Sequence, residues 1–322
     1  MEKTILVTGG LGYIGLVTTD KLICRGYRAV SLDMISRGDE KKIQPDAEYV
    51  KGNMCDDRVV RKVINRYKPT AVLHLAALTS VVDSQRFPHR YEEYNVQIGK
   101  TLVEAMFSGG CFNIVFSSSA AVYSGINFRI DEKQPRKPSS VYGQTKKAFE
   151  DYLFQYSGHE LRSTVLRYFN VAGASLDGRV KEGKSARGKL IPTIFRVNEK
   201  KQKRLVIFGK DYKTADGTAV RDYVHVEDVA SANVLALEYI LRGGKSDSFN
   251  IGSGVGTSNL EVVRMFEKEF SVSTPIVFGR RRKGEAGIIV ADPARAKKIL
   301  GWKPRYSTMH TIFRSIAECT ES

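Results

Sequence analysis

Thr4-Ile5-Leu6-Val7-Thr8-Gly9-Gly10-Leu11-Gly12-Tyr13-Ile14-Gly15 is the stretch on which the reading of the chain turns. Its first five residues are apolar or β-branched without alternation, the pattern of a parallel strand buried on both faces. Glycines then recur at Gly9, Gly12 and Gly15, and an amphipathic stretch follows to about Cys24. Strand, glycine turn and helix in this order form a dinucleotide-binding fingerprint, because glycines permit the tight turn and the helix N-terminus faces a pyrophosphate. The next apolar run, Arg28-Ala29-Val30-Ser31-Leu32, ends at Asp33. A carboxylate there accepts both ribose hydroxyls and repels a 2′-phosphate, which favours NAD over NADP. Arg37 close by softens that preference. The alternative role for Asp33 is a turn or helix-cap aspartate.

Further strands are expected at Ala47–Val50, Ala71–Leu75, Asn113–Phe116 and Arg162–Tyr168, with helices between them. Asp56 is placed to cap a helix through Tyr67, and one long helix is expected through Asn95 and Gly99 to about Ser108. Ala76-Ala77 end one strand with small residues against which a flat cofactor can lie, while His74 reads as a buried, satisfied histidine. Ser117-Ser118-Ser119 stand at the carboxyl end of another, where ligands sit in doubly wound sheets. After Asn170 the alternation stops. Asp177 to Lys189 is a polar run with Arg179, Lys181, Lys184 and Arg187, either a solvated loop or a lid over an anionic substrate. A strand at Leu205–Phe208, a helix from about Val226 to Leu241 and a strand at Ser248–Ile251 follow. Ser258-x-x-Glu261 forms a capping box before Leu260, Val263, Phe266 and Phe270, one face of a helix. The expected architecture is α/β, a Rossmann-like doubly wound parallel sheet with a smaller α+β C-terminal domain. Residues 1–175, with about 218–242, make the cofactor domain and 176–322 the substrate domain.

Tyr142 and Lys146 lie four residues apart at the start of a helix, hence on one face. A phenol of pKa ~10 becomes a usable base when an ammonium beside it favours the phenolate. The same spacing occurs on ordinary surface helices, so its context decides.

The chain of 322 residues carries a formal charge of +16. Its cations are scattered. The densest groups, Lys200, Lys201, Lys203 and Arg204, then Arg280, Arg281, Arg282 and Lys283, are not interleaved with aromatics in sequence as in a single-strand platform. This disfavours nucleic acid. Cys24, Cys55, Cys111 and Cys319 form no Cys-x-x-Cys pair, which points to free thiols in a reducing compartment. With no apolar run of membrane-spanning length and a strand almost at Met1, a cytoplasmic location is expected.

In these motifs the chain resembles the extended short-chain dehydrogenases/reductases and, within them, the UDP-glucose 4-epimerases. The resemblance runs from Thr8–Gly15 through Phe116–Tyr123, Tyr142–Lys146, Leu166–Asn170, Ile207–Tyr212, Asp216–Thr218 and Val220–Val226 to Val290–Asp292. It implies interconversion of UDP-galactose and UDP-glucose through a 4-keto sugar with tightly held NAD, in a homodimer paired through Glu93–Ser108 and Val141–Tyr156. Ser119, Tyr142 and Lys146 would be the catalytic set. Tyr142, its pKa lowered by Lys146 and the nicotinamide charge, would take the C4 hydroxyl proton, and Ser119 would hydrogen-bond the same oxygen. NAD would meet Gly9, Gly12, Tyr13, Ile14, Gly15, Asp33, Asn53 and Met54, and then Leu75, Ala76, Ala77, Thr79, Asn95, Ser117, Tyr142, Lys146 and Tyr168. The diphosphate would fall to Arg221 and Arg282, with Ser119, Tyr142, Asn170, Lys189, Leu190, Phe208, Glu285 and Ile289 around the UDP-sugar. No metal is expected.

Related dehydratases and decarboxylases carry acids after the position of Ser119; here Ala120 and Ala121 follow it. Five positions depart from the epimerase pattern. Asn53 replaces an aspartate at the adenine amino group, Thr79 a cofactor-holding lysine, Lys189 an asparagine near the diphosphate, and Ser124 a glycine. Ile289 stands where a large residue excludes N-acetylated sugars and a small one admits them. The rival readings are a C4 epimerase of UDP-N-acetylglucosamine or UDP-glucuronate, and a silent NAD-binding sensor or scaffold.

Overall fold

The computed structural model describes residues 2–34, 44–123, 129–156, 160–182, 188–282 and 285–319. Arg37, Ser124, Lys184, Arg187 and Lys283 lie outside them. In chain order the first elements are β1 (Thr4–Thr8), α1 (Tyr13–Cys24), β2 (Arg28–Asp33), β3 (Glu48–Lys51), α2 (Asp57–Tyr67) and β4 (Ala71–His74). Next come α3 (Val81–Arg86), α4 (Pro88–Glu92), a π-helical turn (Glu93–Gln97), α5 (Ile98–Ser108), β5 (Asn113–Ser119), β6 (Arg129–Ile130), α6 (Val141–Gln155) and β7 (Arg162–Tyr168). The remainder comprises β8 (Asn170–Ala172), α7 (Leu190–Asn198), β9 (Leu205–Phe208), β10 (Val220–His225), α8 (Val226–Leu241), β11 (Asp247–Ile251) and β12 (Gly256–Ser258). It closes with α9 (Asn259–Phe270), β13 (Ile276–Gly279), β14 (Ile288–Ala291), α10 (Ala294–Ile299) and α11 (Met309–Glu318).

Seven parallel strands form one sheet in the order β11-β7-β5-β4-β1-β2-β3. The order reverses at β1 and β4, which opens a crevice beyond their carboxyl ends, the place where doubly wound sheets hold ligands. Both faces are covered, as the unbroken burial of β1 requires. On one side Ile5, Val7, Leu237 and Phe249 pack with the fully buried Trp302. On the other, Leu6, Ile64, Leu102, Phe116 and Phe149 do so. The expected buried histidine holds: His74 is within 2.8 Å of the Thr8 hydroxyl. The C-terminal residues return to this half of the molecule, where the Trp302 indole donates to the Asp228 carbonyl at 2.8 Å. The Asp228 carboxylate accepts from the amides of Arg305 and Tyr306.

A smaller α+β assembly contains the sheet β12-β10-β14-β6, with β8 also on β10, and the pair β13-β9. Its core joins α7, α9 and α11 through Ile194, Val263, Phe266 and Phe313. Asp56 caps α2 and the Ser258–Glu261 capping box starts α9, as their spacing predicts.

The single helix expected through Asn95 to Ser108 is interrupted instead. Pro88 starts a new helix at its first turn, where its missing N–H costs nothing, and the π turn inserts an extra residue before α5. Among the described residues no helix is long and apolar enough to cross a membrane. Among the described residues no disulfide joins Cys24, Cys55, Cys111 or Cys319.

Candidate active site

β5 delivers Ser117, Ser118 and Ser119 to the carboxyl end of the sheet, and α6 starts directly against the short turn that follows. Ser140 caps α6 by accepting from the Gly143 amide at 3.1 Å. A Cβ on Gly143 would lie 2.2 Å from the Ala121 carbonyl oxygen, so the absent side chain permits this contact. The Tyr142 amide donates to Ser84 Oγ at 3.1 Å. Lys146, 2% exposed, donates through Nζ to the Ser117 carbonyl at 2.8 Å and lies 5.9 Å from the centre of the Tyr142 ring. The Ser119 hydroxyl accepts from the Ala121 amide at 3.2 Å and also reaches the Tyr142 phenol. Tyr168 stands beside Ser117 and donates to Asn233 Oδ1 at 2.7 Å.

Asn95 explains the π turn. Its side-chain oxygen accepts from the Leu78 amide at 2.8 Å, while its nitrogen donates to the Leu78 carbonyl at 3.0 Å and to Thr145 Oγ1 at 3.1 Å. The extra residue thus aims one buried amide at both the loop after β4 and the helix of Tyr142.

The electrostatics depart from expectation. Burial pushes the Tyr142 phenol up to about 12, with the Ser119 hydrogen bond pulling the other way and Tyr91 adding to the rise. Burial also brings the Lys146 ammonium down to about 7, opposed by Glu150. Burial thus works against the charged form of Lys146, and Glu150 works for it. The lowering of the phenol that the Tyr-x-x-x-Lys spacing promised is not supplied by the chain's own groups, because desolvation outweighs the Ser119 hydrogen bond.

On the other side of the crevice, Gly9 has φ +71°, and a Cβ there would lie 2.6 Å from the Ala76 amide nitrogen. Gly12 caps α1 without a side-chain bond, and no acid occupies the first turn, so the amides of this helix end are open to an anion. Tyr13 is tied to the Gly173 carbonyl at 2.6 Å, and Ile14 and Leu75 pack on the core beneath. Asp33 sits beside the glycine turn, accepting from the amides of Leu11 at 3.0 Å and Met34 at 2.7 Å. This uncapped helix end with a carboxylate beside it fits a dinucleotide. Met54 is buried in the core, Ala76 packs against it and Ala77 is half-buried, whereas Thr79 is exposed. Asn53 is exposed too, and its side-chain oxygen already accepts from the Cys55 amide at 3.0 Å.

The substrate candidates gather on the smaller assembly. Arg221, 8% exposed, pairs with Glu285 Oε1 at 2.7 Å, and the Tyr212 hydroxyl lies 3.4 Å from the other oxygen. The Arg282 guanidinium stacks 4.2 Å from the Phe208 ring centre, and that of Arg281 lies 4.1 Å from Tyr212. Ile289 packs against the cluster of Ala120, Val122 and Phe169, next to Ser119. Leu190 begins α7 and Asn170 begins β8, the latter exposed. The added charge of Lys189 is met by an ion pair with Glu182, and Arg179 is held by Asp20 and Asp177. The alternation of elements gave no notice of Ser84, Tyr91 or Glu150. Only Glu150 left a trace, its place four residues after Lys146.

The sequence profile of the NAD dependent epimerase/dehydratase family matches residues 5–252. The chain belongs to that family. Among curated members, the UDP-glucose 4-epimerase of Lacticaseibacillus casei is 39% identical over 314 residues, 97% of this chain and 95% of the relative. Among solved structures, the UDP-glucose 4-epimerase of Stenotrophomonas maltophila, with bound NAD and formylated UDP-arabinopyranose, superposes with a TM-score of 0.94 at 33% identity. The alignment spans 99% of this chain and 98% of that one. The UDP-glucose 4-epimerase of Brucella ovis in complex with NAD gives 0.93 at 36%, over 98% and 97%. The Rossmann-like sheet with its smaller α+β partner is thus the architecture of this family.

Proposed function

We propose that the chain is a UDP-glucose 4-epimerase, interconverting UDP-galactose and UDP-glucose through a transient 4-keto sugar with NAD. The observation that carries the reading is the grouping of Ser119, Tyr142 and Lys146 at the crevice, with Ala120 and Ala121 supplying no further acid or base. When bound, oxidised NAD would supply acceptance and return of the C4 hydride and a positive charge beside the Tyr142 phenol. Tyr142 accepts the C4 hydroxyl proton and returns it, and Ser119 hydrogen-bonds the same oxygen. Lys146 holds the end of β5 through the Ser117 carbonyl. The open end of α1 would take the pyrophosphate and Asp33 the ribose hydroxyls. Arg221 and Arg282 suit the UDP diphosphate because planar guanidinium forks match phosphate oxygens. Glu285, already on Arg221, and Phe208, under Arg282, would border the nucleotide, and Ile289 the sugar.

In this reading residues 1–175 and about 218–242 bind cofactor, joined by β11 through its pairing with β7, and the rest of 176–322 binds UDP-sugar. Assay of UDP-galactose without added cofactor tests it, with NAD expected on denaturation. Release of NADP, or exclusive turnover of UDP-N-acetylglucosamine or UDP-glucuronate, would replace it. The intermediate size of Ile289 favours the N-acetylated sugar as second candidate.

We also infer a cytoplasmic homodimer. Tyr94, Phe107, Tyr152 and Tyr156 are only half-buried, on the π turn, on α5, on α6 and at the C-cap of α6, and Tyr152 and Tyr156 meet edge to face at 5.3 Å. Sedimentation should give twice the chain mass, and Tyr152→Glu should give the monomer; a monomeric parent would reject this pairing.

A further inference from the structure

Glu150 has no role in the chemistry above, yet it is fully buried and hydrogen-bonded by three other segments. From β5, the Ser118 hydroxyl donates to Oε1 at 2.5 Å. From β7, Arg167 donates through Nε at 3.1 Å to Oε1 and through its terminal nitrogen at 2.7 Å to Oε2. From the stretch before α6, Arg136 donates at 2.9 Å. Ser118 and Arg167 are cross-strand neighbours, so one carboxylate grips adjacent strands at their carboxyl ends. Arg167 extends the network by donating to the Tyr123 hydroxyl at 2.6 Å, and Tyr123 donates to Asn250 at 3.0 Å. On either side of Ser118 lie the Ser117 carbonyl, which holds Lys146, and Ser119.

We propose that Glu150 is a positioning residue of the reaction: by locking Ser118 and Arg167 to the helix that carries Tyr142 and Lys146, it sets the register of Ser119 and of the Lys146 acceptor. The inference rests on the epimerase reading. A purely structural ion pair would need no such placement between the two working serine positions. Glu150 also acts electrically. Lys146 is faced by the rings of Phe116 and Tyr142, by His74, which burial keeps neutral, and by Glu150, the carboxylate that supports its charge. Glu150 in turn faces Arg167, Arg136 and Tyr123.

The test is Glu150→Gln in the NAD-loaded enzyme, which keeps shape and removes charge. With the carboxylate gone, the ammonium loses its support, so its midpoint should move down. The Lys146 titration, followed by NMR of its side chain, is expected to move down by about one pH unit. kcat should drop roughly ten- to a hundredfold with KM within about twofold, because the reacting groups, not the nucleotide grip, are displaced. Ser118→Ala keeps every charge and serves where Glu150→Gln does not fold: kcat should fall several-fold with the Lys146 midpoint unmoved. A Glu150→Gln enzyme with parental kcat and an unchanged Lys146 midpoint, or one altered only in melting temperature, overturns the proposal. So does a parental kcat in Ser118→Ala. A parent that turns over no UDP-sugar defeats the epimerase reading instead, and the Lys146 midpoint still decides whether Glu150 governs that group.

Discussion

Tyr142→Phe will lower kcat by about 10²–10⁴-fold, the usual worth of a positioned general acid–base group, while leaving KM for UDP-galactose within a few-fold of the parent. The change removes one oxygen. The ring keeps its packing, and the backbone amide keeps its bond to Ser84, so the melting temperature should hold. What disappears is the oxygen that meets Ser119 and to which the proposed function assigns the C4 proton. No neighbour can substitute: Lys146 is committed to the Ser117 carbonyl and the residues after Ser119 are alanines. Steady-state turnover of UDP-galactose, with cofactor content measured on the same sample, checks this. Activity within threefold of the parent would remove Tyr142 from the role of base.

The second large effect is expected at Gly15. A Cβ at this position would stand 2.2 Å from the Gly9 carbonyl oxygen and 2.8 Å from Gly10 Cα. Both are backbone atoms of the turn itself, so relief requires the glycine loop to leave the helix end. Gly15→Val should therefore strip the enzyme of NAD, with the dinucleotide released on denaturation falling below about a tenth of the parental amount, and abolish turnover. Overpacking of this kind also costs about 1–3 kcal/mol of stability. Gly26→Ala is the control. Gly26 has φ +77°, but a Cβ there would meet nothing within 4 Å, so the substitution should cost only about 1–2 kcal/mol for the left-handed backbone and retain cofactor. Full NAD content in Gly15→Val would show that the cofactor does not sit at this turn.

Much of this was legible in the sequence because it is local. The strand, glycine turn and helix at Thr4–Cys24, the cap at Asp56 and the box at Ser258–Glu261 each depend on residues within a few positions of one another. So does the joint placement of Tyr142 and Lys146. What periodicity could not reveal depends on distant partners. The π turn carries Asn95, whose hydrogen bonds reach Leu78 and Thr145. Spacing misjudges the electrostatics of Tyr142 because it reports which groups are near, whereas burial decides which is charged. Glu150 gathers Ser118, Arg136 and Arg167 from three segments, and no spacing rule links them. Asn53 turns its oxygen back onto Cys55, a local bond that residue identity alone does not announce.

The burial of Trp302 among Ile5, Val7 and Phe249 bears on how the molecule is made. β1 and Trp302 share one cluster although most of the described elements lie between them, so that cluster lacks its largest side chain until Trp302 has been made. The face of the seven-stranded sheet built on β1 therefore reaches its final packing only after Trp302 has been delivered to it.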